Sequence, residues 1–593
     1  MDEKENPKGQ QSESRMQSAY GEQSKLQPTR NPAEISGETI DVVGEATGEF
    51  PAPTTPAREQ TSKSASMVGA GILISRIIGL IRQRVFAYYF GNSAAADAFN
   101  AAFRIPNFLQ NLFGEGALSA SFIPVYANLL ARHDEKEASR VASAVFSLLA
   151  LVTSIVVVTG VLTAPLLTSV IAYGFEGDRR TLVIQLVRIL FPGAGLLVLS
   201  AWCLGVLNSH RKFFLSYTAP VVWNIAIIVS LVMFGRGHST LLTGSALDQF
   251  QFDLAALVAW GSVVGSALQF AVQLPTVLSL AKRLRPTFAW ADQHVRTVVR
   301  NFFPVFISRG VIQISAFIDV TLASLLPTGA VAAITYAQSL YTLPVSLFGM
   351  SISAAELPAM SSAIGTTDEV AAELRRRLDQ GLSRIAFFIV PSAMAMLALG
   401  NVITAVLYQT GEFKHDATLY VWGILAGSTI GLLASTLGRL YASTYYALHD
   451  TRTPLYYAVV RVILTGVLGY VCAIQLPGLI GIPSKWGAAG LTASAGVAGW
   501  IEFALLRRTL NKWIGRTGLH FVYVAKLWLA AIIAAAIGGA IEIAIGSRHP
   551  LIVAILVLGP YGVAYFAITY ALKVSEATQV IKRGLRIVGV RSI

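Results

Sequence analysis

The chain has 593 residues, 54% of them hydrophobic and only 13% charged, with a mean hydropathy of +0.58. Soluble globular chains carry roughly 25% charged residues, so this composition excludes that class and points to a bilayer. The net charge of +13 needs no nucleic-acid partner if its basic residues flank membrane spans, and Cys203 and Cys472, alone in different apolar stretches, offer neither a disulfide framework nor a metal site.

Residues 1–63 are rich in Gln, Glu, Ser, Pro and Thr and show almost no apolar periodicity. Such a segment cannot bury enough surface to fold, so it reads as a disordered cytoplasmic tail. It is no signal peptide, because the apolar stretch begins only near Met67 and runs too long for a cleavable core.

From Ser66 onward the chain breaks into apolar segments near the roughly 20 residues a bilayer crossing takes. About fourteen are predicted, beginning near 66, 95, 141, 182, 214, 253, 298, 330, 381, 417, 454, 486, 521 and 549. The fold class is therefore an all-α polytopic membrane protein. Even-numbered spans leave into basic connections (RHDEKEASR, HRK, KRLRP with RTVVR, ELRRR, HDTRTP, RRTLNKWIGR and KRGLR), which puts both termini in the cytoplasm.

Several spans are interrupted by proline or glycine (FRIPNF, LFPGAG, NFFPVF, YTLPVSLFG, IVPSA). Transporters break helices this way around a central site, while ordinary packing kinks account for any single proline equally well.

A weak repeat links Ile74-Ser75-Arg76 to Ile307-Ser308-Arg309, Pro106 to Pro344, and Leu207-Asn208-Ser209-His210-Arg211 to Leu448-His449-Asp450-Thr451-Arg452. Its order predicts two six-span lobes, over 64–285 and 286–515, with two extra spans and a cytoplasmic C-terminal tail over 516–593.

Charged residues inside apolar spans are costly and usually face a water-filled path or a bound ion. Arg76, Arg82, Arg84, Asp97, Arg104 and Glu115 lie in the first such stretch. At about 100° per residue Asp97, Arg104 and Glu115 share one helical face with Asn100, Asn107 and Asn111 beside them. Arg76 and Gln83 share a face of the preceding span, Arg309 and Gln313 share one in the second half, and Asp319 lies further along that helix. Arg76 has about ten apolar or small residues before it, so a cavity role is expected for it. Snorkelling near a membrane boundary competes with a cavity role for Arg82 and is the reading for Arg84, Asp97 and Arg104 either line a cavity or form a structural ion pair, and Glu356, Arg461 and Glu502 read as structural pairs.

Inward arginines suit a phosphate-bearing substrate, because guanidinium grips phosphate oxygens bidentately and stays protonated. No Walker loop, His-rich metal spacing or nucleophile elbow is present, so neither catalysis nor a metal is expected. Any energy source would be a coupling cation or the membrane potential.

The block SRIIGLIRQRVFAYYFGNSAAADAFNAAFRIPNFLQNLFGEGALSASFIPVY closely resembles the first two transmembrane helices of the MurJ (MviN) family of flippases of lipid II, the peptidoglycan precursor. The resemblance continues through LNSHRKF, APVVWN, QISAFIDVTLAS, LYQTGEF and HDTRTP, and spans nearly everything from Ser66 onward. It implies the fold of the multidrug/oligosaccharidyl-lipid/polysaccharide exporter superfamily, with a cavity between helices 1, 2, 7 and 8 and a lipid-tail groove on helices 13 and 14. It implies alternating access in the bacterial plasma membrane, lipid II as substrate and contacts with cell-wall synthesis machinery.

Arg76, Arg82, Asp97, Arg104 and Glu115 fall on positions that matter in that family. Gln83, Gln110 and Gln338-Ser339 stand where relatives carry Asp, Arg and Arg. Arg309, the repeat's counterpart of Arg76, is expected to compensate for the lost arginines, on a helix that also brings Gln313 and Asp319 to the cavity. Another polyprenyl-pyrophosphate-linked glycan is the alternative substrate, and a membrane scaffold for envelope assembly is the reading from a different class.

Overall fold

The computed structural model describes residues 55–587 apart from 238–241, 282–283, 286, 288–291, 364 and 547. The expected tail lies outside the described residues up to position 54. The first helix, α1 (Thr55–Phe90), starts inside the remainder of that tail, at a Thr-Pro pair suited to a helix start. Thr61–Ile593 forms one compact unit, which holds most of α1 and every later helix.

The first half continues with α2 (Ala94–Phe113), α3 (Glu115–Ser121), α4 (Ile123–Ala131), α5 (Glu135–Leu162), α6 (Ala164–Ile171), α7 (Gly177–Ser209), α8 (Phe213–Phe234) and α9 (Ser245–Leu280). The second half holds α10 (Gln293–Ser324), α11 (Ala330–Pro344), α12 (Ser351–Ser361), α13 (Thr367–Ala398), α14 (Gly400–Tyr408), α15 (His415–Thr429), α16 (Leu432–Ala447), α17 (Arg452–Tyr470), α18 (Leu476–Ile480) and α19 (Gly487–Ile514). α20 (Phe521–Ile545), α21 (Pro550–Ala571) and α22 (Ser575–Ile587) close the chain. Among the described residues no strand forms beyond one isolated bridge between Thr410 and Phe413.

Among the described residues ten helical stretches are long and apolar enough to cross a membrane, and α15 with α16, bent by 43°, make an eleventh. All fourteen expected segments are helical, yet α1, α2 and α10 are not in that set. For α2 the reason is composition: Asp97, Asn100, Arg104, Asn107, Gln110 and Asn111 dilute its apolar content. Hydrocarbon tolerates such a helix only when other helices or cavity water satisfy those groups, and α2 packs against α7, α9, α10 and α11.

Most interrupting prolines sit inside continuous helices: Pro106 in α2, Pro192 in α7, Pro304 in α10 and Pro391 in α13. Pro344 is the exception, because a π-helical stretch, Val345–Met350, separates α11 from α12 immediately after it. Cys203 and Cys472 are free thiols in packed surroundings.

Among the described residues four non-glycine residues have left-handed backbones, His133, Arg211, His449 and Lys573, each just past a helix end. In each case the next amide donates five residues back, as Lys212 does to Leu207 and Asp450 does to Tyr445. These are Schellman turns. Arg211 and His449 stand at the same interval as Pro106 and Pro344, so the repeat is visible in the backbone. Its register pairs His210 with Leu448, three residues off the Leu207 to Leu448 match read from side-chain identities.

Small residues let α19 pack tightly. A Cβ at Gly487 would lie 2.1 Å from the Ala473 carbonyl oxygen, one at Gly490 2.4 Å from that of Cys472, and one at Gly496 2.6 Å from the Gly431 nitrogen. In lipid, where apolar burial drives little association, such close backbone approach is a main source of helix packing energy. Gly496→Val is therefore expected to cost about 1–3 kcal/mol through overpacking. A fall in the thermal unfolding midpoint of the detergent-purified protein checks this; an unchanged midpoint would show that the crossing relaxes without cost.

Candidate functional site

The polar residues of α2 fall at two ends of one helix, and each end meets the second half of the chain. Ser93 caps α2 by accepting from the Ala96 amide, which leaves Asp97 in the first helical turn. The Asp97 side chain does not turn toward its own helix. Its Oδ2 accepts from the Gly329 amide at 2.6 Å and its Oδ1 from the Ala332 amide at 2.8 Å, so it caps the N-terminus of α11. Asp97 is 1% exposed. Arg179 lies 3.5 Å from its Oδ2, donates to Thr328 Oγ1 at 3.3 Å and covers the Phe175 ring at 4.1 Å.

The backbone here is shaped for the contact. Gly329 has φ +96°, and a Cβ there would lie 2.6 Å from the Asn92 carbonyl oxygen, so only glycine fits. Tyr336 donates to the Gly91 carbonyl at 3.0 Å and the Glu412 amide to that of Tyr88 at 2.9 Å. Phe86, Phe90 and Phe99 from the first half meet Tyr336, Tyr408 and Phe413 from the second in one buried aromatic cluster. Arg84 donates to the Val406 and Leu407 carbonyls at 2.5 and 3.1 Å, holding the C-terminal end of α14 rather than snorkelling.

The other end of α2 meets α10. Asn111 Nδ2 donates to Gln313 Oε1 at 3.0 Å, and Arg309 Nη1 donates to the Asn111 carbonyl at 3.3 Å. Phe108 stacks near Phe317 at 5.1 Å, and Phe113 meets Phe302 and Phe306 at 5.5 and 5.4 Å. The two helices are antiparallel, so the 111–313 and 108–317 pairs set a register that brings Arg104 opposite Asp319. The two side chains interact electrostatically. Asp319 Oδ1 is buried and accepts no hydrogen bond.

Between the ends lie the remaining groups. Arg82 sits over the Trp223 ring at 4.8 Å, a cation–π contact within the first half. Gln83 Nε2 donates to Ser339 Oγ at 3.3 Å across the halves. Arg76 is exposed, Gln110 is half-buried and Gln338 is exposed. The side chain of Glu115 lies outside the described residues.

Three expectations change. Asp97 and Arg104 do not form an ion pair with each other; Asp97 caps α11, and the α2–α10 register sets Arg104 opposite Asp319. Arg309, expected as the counterpart of Arg76, is hydrogen-bonded to the Asn111 carbonyl across the α2–α10 contact. α10 sets it against Gly116 of α3, where a Cβ would meet its Nη2, so its guanidinium occupies the space this one glycine leaves. Gln83 and Ser339, two separate departures in the sequence, are bonded to each other. The structural pairs hold: Arg461 meets Glu502 at 3.2 Å, and Glu356 meets Arg384 at 3.2 Å and Arg377 at 3.6 Å. Sequence reasoning does not reach Arg179, Gly329 or Tyr336. The Pro-Thr-Gly-Ala turn before α11 is a signal for Gly329, but nothing in the sequence ties Arg179 to Asp97.

The family description "Lipid II flippase MurJ" matches residues 86–563. The chain belongs to the MurJ family. Among its relatives, a "Lipid II flippase MurJ" of Burkholderia cenocepacia is 32% identical over 447 residues, covering 74% of this chain and 82% of that one. A "Probable lipid II flippase MurJ" of Rhizobium meliloti is 29% identical over 542 residues, covering 88% and 96%. A solved structure described as "Lipid II flippase MurJ, inward closed conformation" superposes with a TM-score of 0.69 at 23% identity, covering 87% of this chain and 99% of that one, so the fold is the MurJ fold.

Within this MurJ-family fold the Asp97 cap is the contact most exposed to test. Asp97→Ala strips two α11 amides of their acceptor, each charge-assisted bond being worth about 1.5–3 kcal/mol. A cysteine placed at Ala333, buried in α11, is expected to react faster with a water-soluble maleimide in the Asp97→Ala background. Equal labelling rates would show that the aromatic cluster holds this end without the carboxylate.

Proposed function

We propose that the protein flips lipid II, the undecaprenyl-pyrophosphate-linked peptidoglycan precursor, from the inner to the outer leaflet of the bacterial plasma membrane by alternating access. The observation that carries this reading is that one helix, α2, is latched to the second half at both ends by different chemistry. Asp97 and Asn111 are 14 residues apart, about 21 Å along the axis at 1.5 Å per residue. Basic connections put the Asp97 end outside and the Asn111 end inside, with both termini cytoplasmic.

Arg76, Arg82 and Arg104 then meet the pyrophosphate between the latches. When the inner latch parts, Arg309 leaves Asn111 and the arginines face the cytoplasmic leaflet. Bound pyrophosphate offsets their mutual repulsion and favours closure. Release of the Asp97 cap opens the outer side. A cycle of this kind requires lipid II to bind the closing and opening states with different affinity, and a coupling cation or the membrane potential to bias the return. Helices α1–α9 and α10–α19 would move as the two lobes, with α20 and α21 carrying the groove for the lipid tail.

Expression of the full chain in a strain depleted of its own lipid II flippase tests the substrate. Restored growth is the expected outcome; lysis despite correct membrane insertion would leave another polyprenyl-pyrophosphate-linked glycan as the cargo. In the same assay Arg82→Ala is expected to abolish rescue. Arg309→Ala, which loosens the inner latch but leaves the other arginines, is expected to need higher expression for rescue rather than to fail. Complete loss in Arg309→Ala would restore it to the substrate-binding set.

A further inference from the structure

Away from the α2 interface, the outer flank of the second half carries a groove of about 500 Å3 lined by Trp500, Phe503, Ala504, Arg507, Arg508, Asn511 and Arg516. The proposed transport path does not use it. Its lining follows from helical spacing: Trp500, Ala504, Arg508 and Asn511 stand at i, i+4, i+8 and i+11 on α19, so they form one stripe. That stripe is apolar at its membrane-embedded start, where Val497 and Trp500 are 44% and 39% exposed, and cationic where the helix ends. Trp500 and Arg508 are separated by about 12 Å along the axis. An amphiphile lying beside α19 would meet apolar wall first and guanidinium last.

The walls are fixed rather than loose. Trp500 Nε1 donates to the Ile430 carbonyl at 2.7 Å, and Phe503 stands edge-on between Trp500 and Tyr441, with ring centroids at 5.7 and 5.4 Å. At the polar end the chain turns back at Gly515 and Gly518, whose φ angles are +85° and +122°. The returning loop is pinned: Arg507 Nε donates to the Thr517 carbonyl, the Thr517 amide donates to Asn511 Oδ1, Tyr441 and Thr517 share a hydroxyl hydrogen bond, and the Gly518 amide donates to Asp379 Oδ1. This places Arg516 beside Arg508 at the mouth of the groove. Neither arginine has a hydrogen-bond or ion-pair partner among the described residues, whereas Arg507 is committed to the loop.

We infer that this groove binds an anionic phospholipid of the surrounding leaflet, its phosphate held by Arg508 and Arg516 and its acyl chain laid along Val497, Trp500 and Ala504. Basic pockets between membrane helices at the polar boundary recognise phosphate head groups, and tryptophan settles at that same depth. Arginines that merely orient the protein need no aromatic groove beneath them and no pinned loop to bring one of them back. The occupant is a bilayer lipid and not a soluble anion, because Trp500 and Ala504 present exposed apolar surface in the groove that a free phosphate would leave wet.

The test uses the full chain purified in detergent, with the unfolding midpoint followed as dioleoylphosphatidylglycerol, dioleoylphosphatidylcholine or inorganic phosphate is added. A ligand that binds only the folded state raises that midpoint with concentration. Phosphatidylglycerol is expected to stabilise the protein and the other two are not. The double variant Arg508→Ala/Arg516→Ala is expected to weaken the phosphatidylglycerol response at least about tenfold, in line with two lost cationic contacts. Ala504→Phe, which fills the groove and keeps both arginines, is expected to weaken it as well. Arg132→Ala, an exposed arginine at a helix end of the first half, serves as the control for bulk charge and is expected to respond like the wild type. Equal stabilisation by phosphatidylcholine or by inorganic phosphate, an unaltered response in the double variant or in Ala504→Phe, or an equal loss in Arg132→Ala would each overturn the assignment.

Discussion

Hydrocarbon leaves no water to satisfy a carboxylate, and the Asp97 side chain is almost wholly removed from solvent. Its negative charge is stabilised by two amides and a guanidinium, and the amides belong to a helix in the other half of the chain. This one requirement organises the region around it. Gly329 must lack a side chain so that α11 can begin against Asn92, Arg179 must leave solvent to stand on Phe175, and the aromatic rings of both halves close over the result. An end of the molecule held by a buried charge behaves cooperatively, because losing one donor while the site stays dry leaves the carboxylate under-satisfied.

The opposite end is held differently. Asn111, Gln313 and Arg309 are half-buried, and their bonds are single and polar, with phenylalanines packed beside them. Bonds of this kind exchange with water at little cost once water can enter. The two ends of α2 thus differ in how steeply their closure depends on geometry. In the proposed cycle that difference suits a carrier whose outer side must stay sealed until cargo is loaded. Arg104 lies opposite Asp319 midway along the same interface, and Asp319 Oδ1 there accepts no hydrogen bond.

Much of this architecture is legible in the sequence, for physical reasons that also mark its limits. Apolar length places most of the spans, because the bilayer imposes a fixed thickness, and falls short at α1, α2 and α10; Arg461 with Glu502 and Glu356 with Arg384 obey the rule that buried charges pair. The polar composition of α2 is visible, but not the partner of each residue. Helical periodicity assigns Asp97, Arg104 and Asn111 to faces, while the register of α2 against α10 and α11 depends on glycines and ring sizes in segments more than 200 residues away. Arg309 is the clearest instance. Repeat logic pairs it with Arg76, but its contacts with the Asn111 carbonyl and Gly116 cannot be read from that pairing. The bond between Gln83 and Ser339 is the converse case, in which two separate departures turn out to be one compensated pair.

The connection between the halves has a mechanical side. The Arg285 and Thr287 amides donate to Ser143 and Ser147 on α5, and Asp292, which caps α10, faces Arg140 of the same helix at 3.8 Å. The start of α10 is thereby anchored to the first half, and its 32 residues extend about 48 Å to the end that meets Ile171 and Gly174. Anchored at one end, α10 acts as a lever: a tilt of about 5° at its base sweeps the far tip through about 4 Å, further than any hydrogen bond there can stretch. In the proposed cycle, small adjustments at the base of α10 would be magnified at its far tip, with the serines of α5 setting the fulcrum.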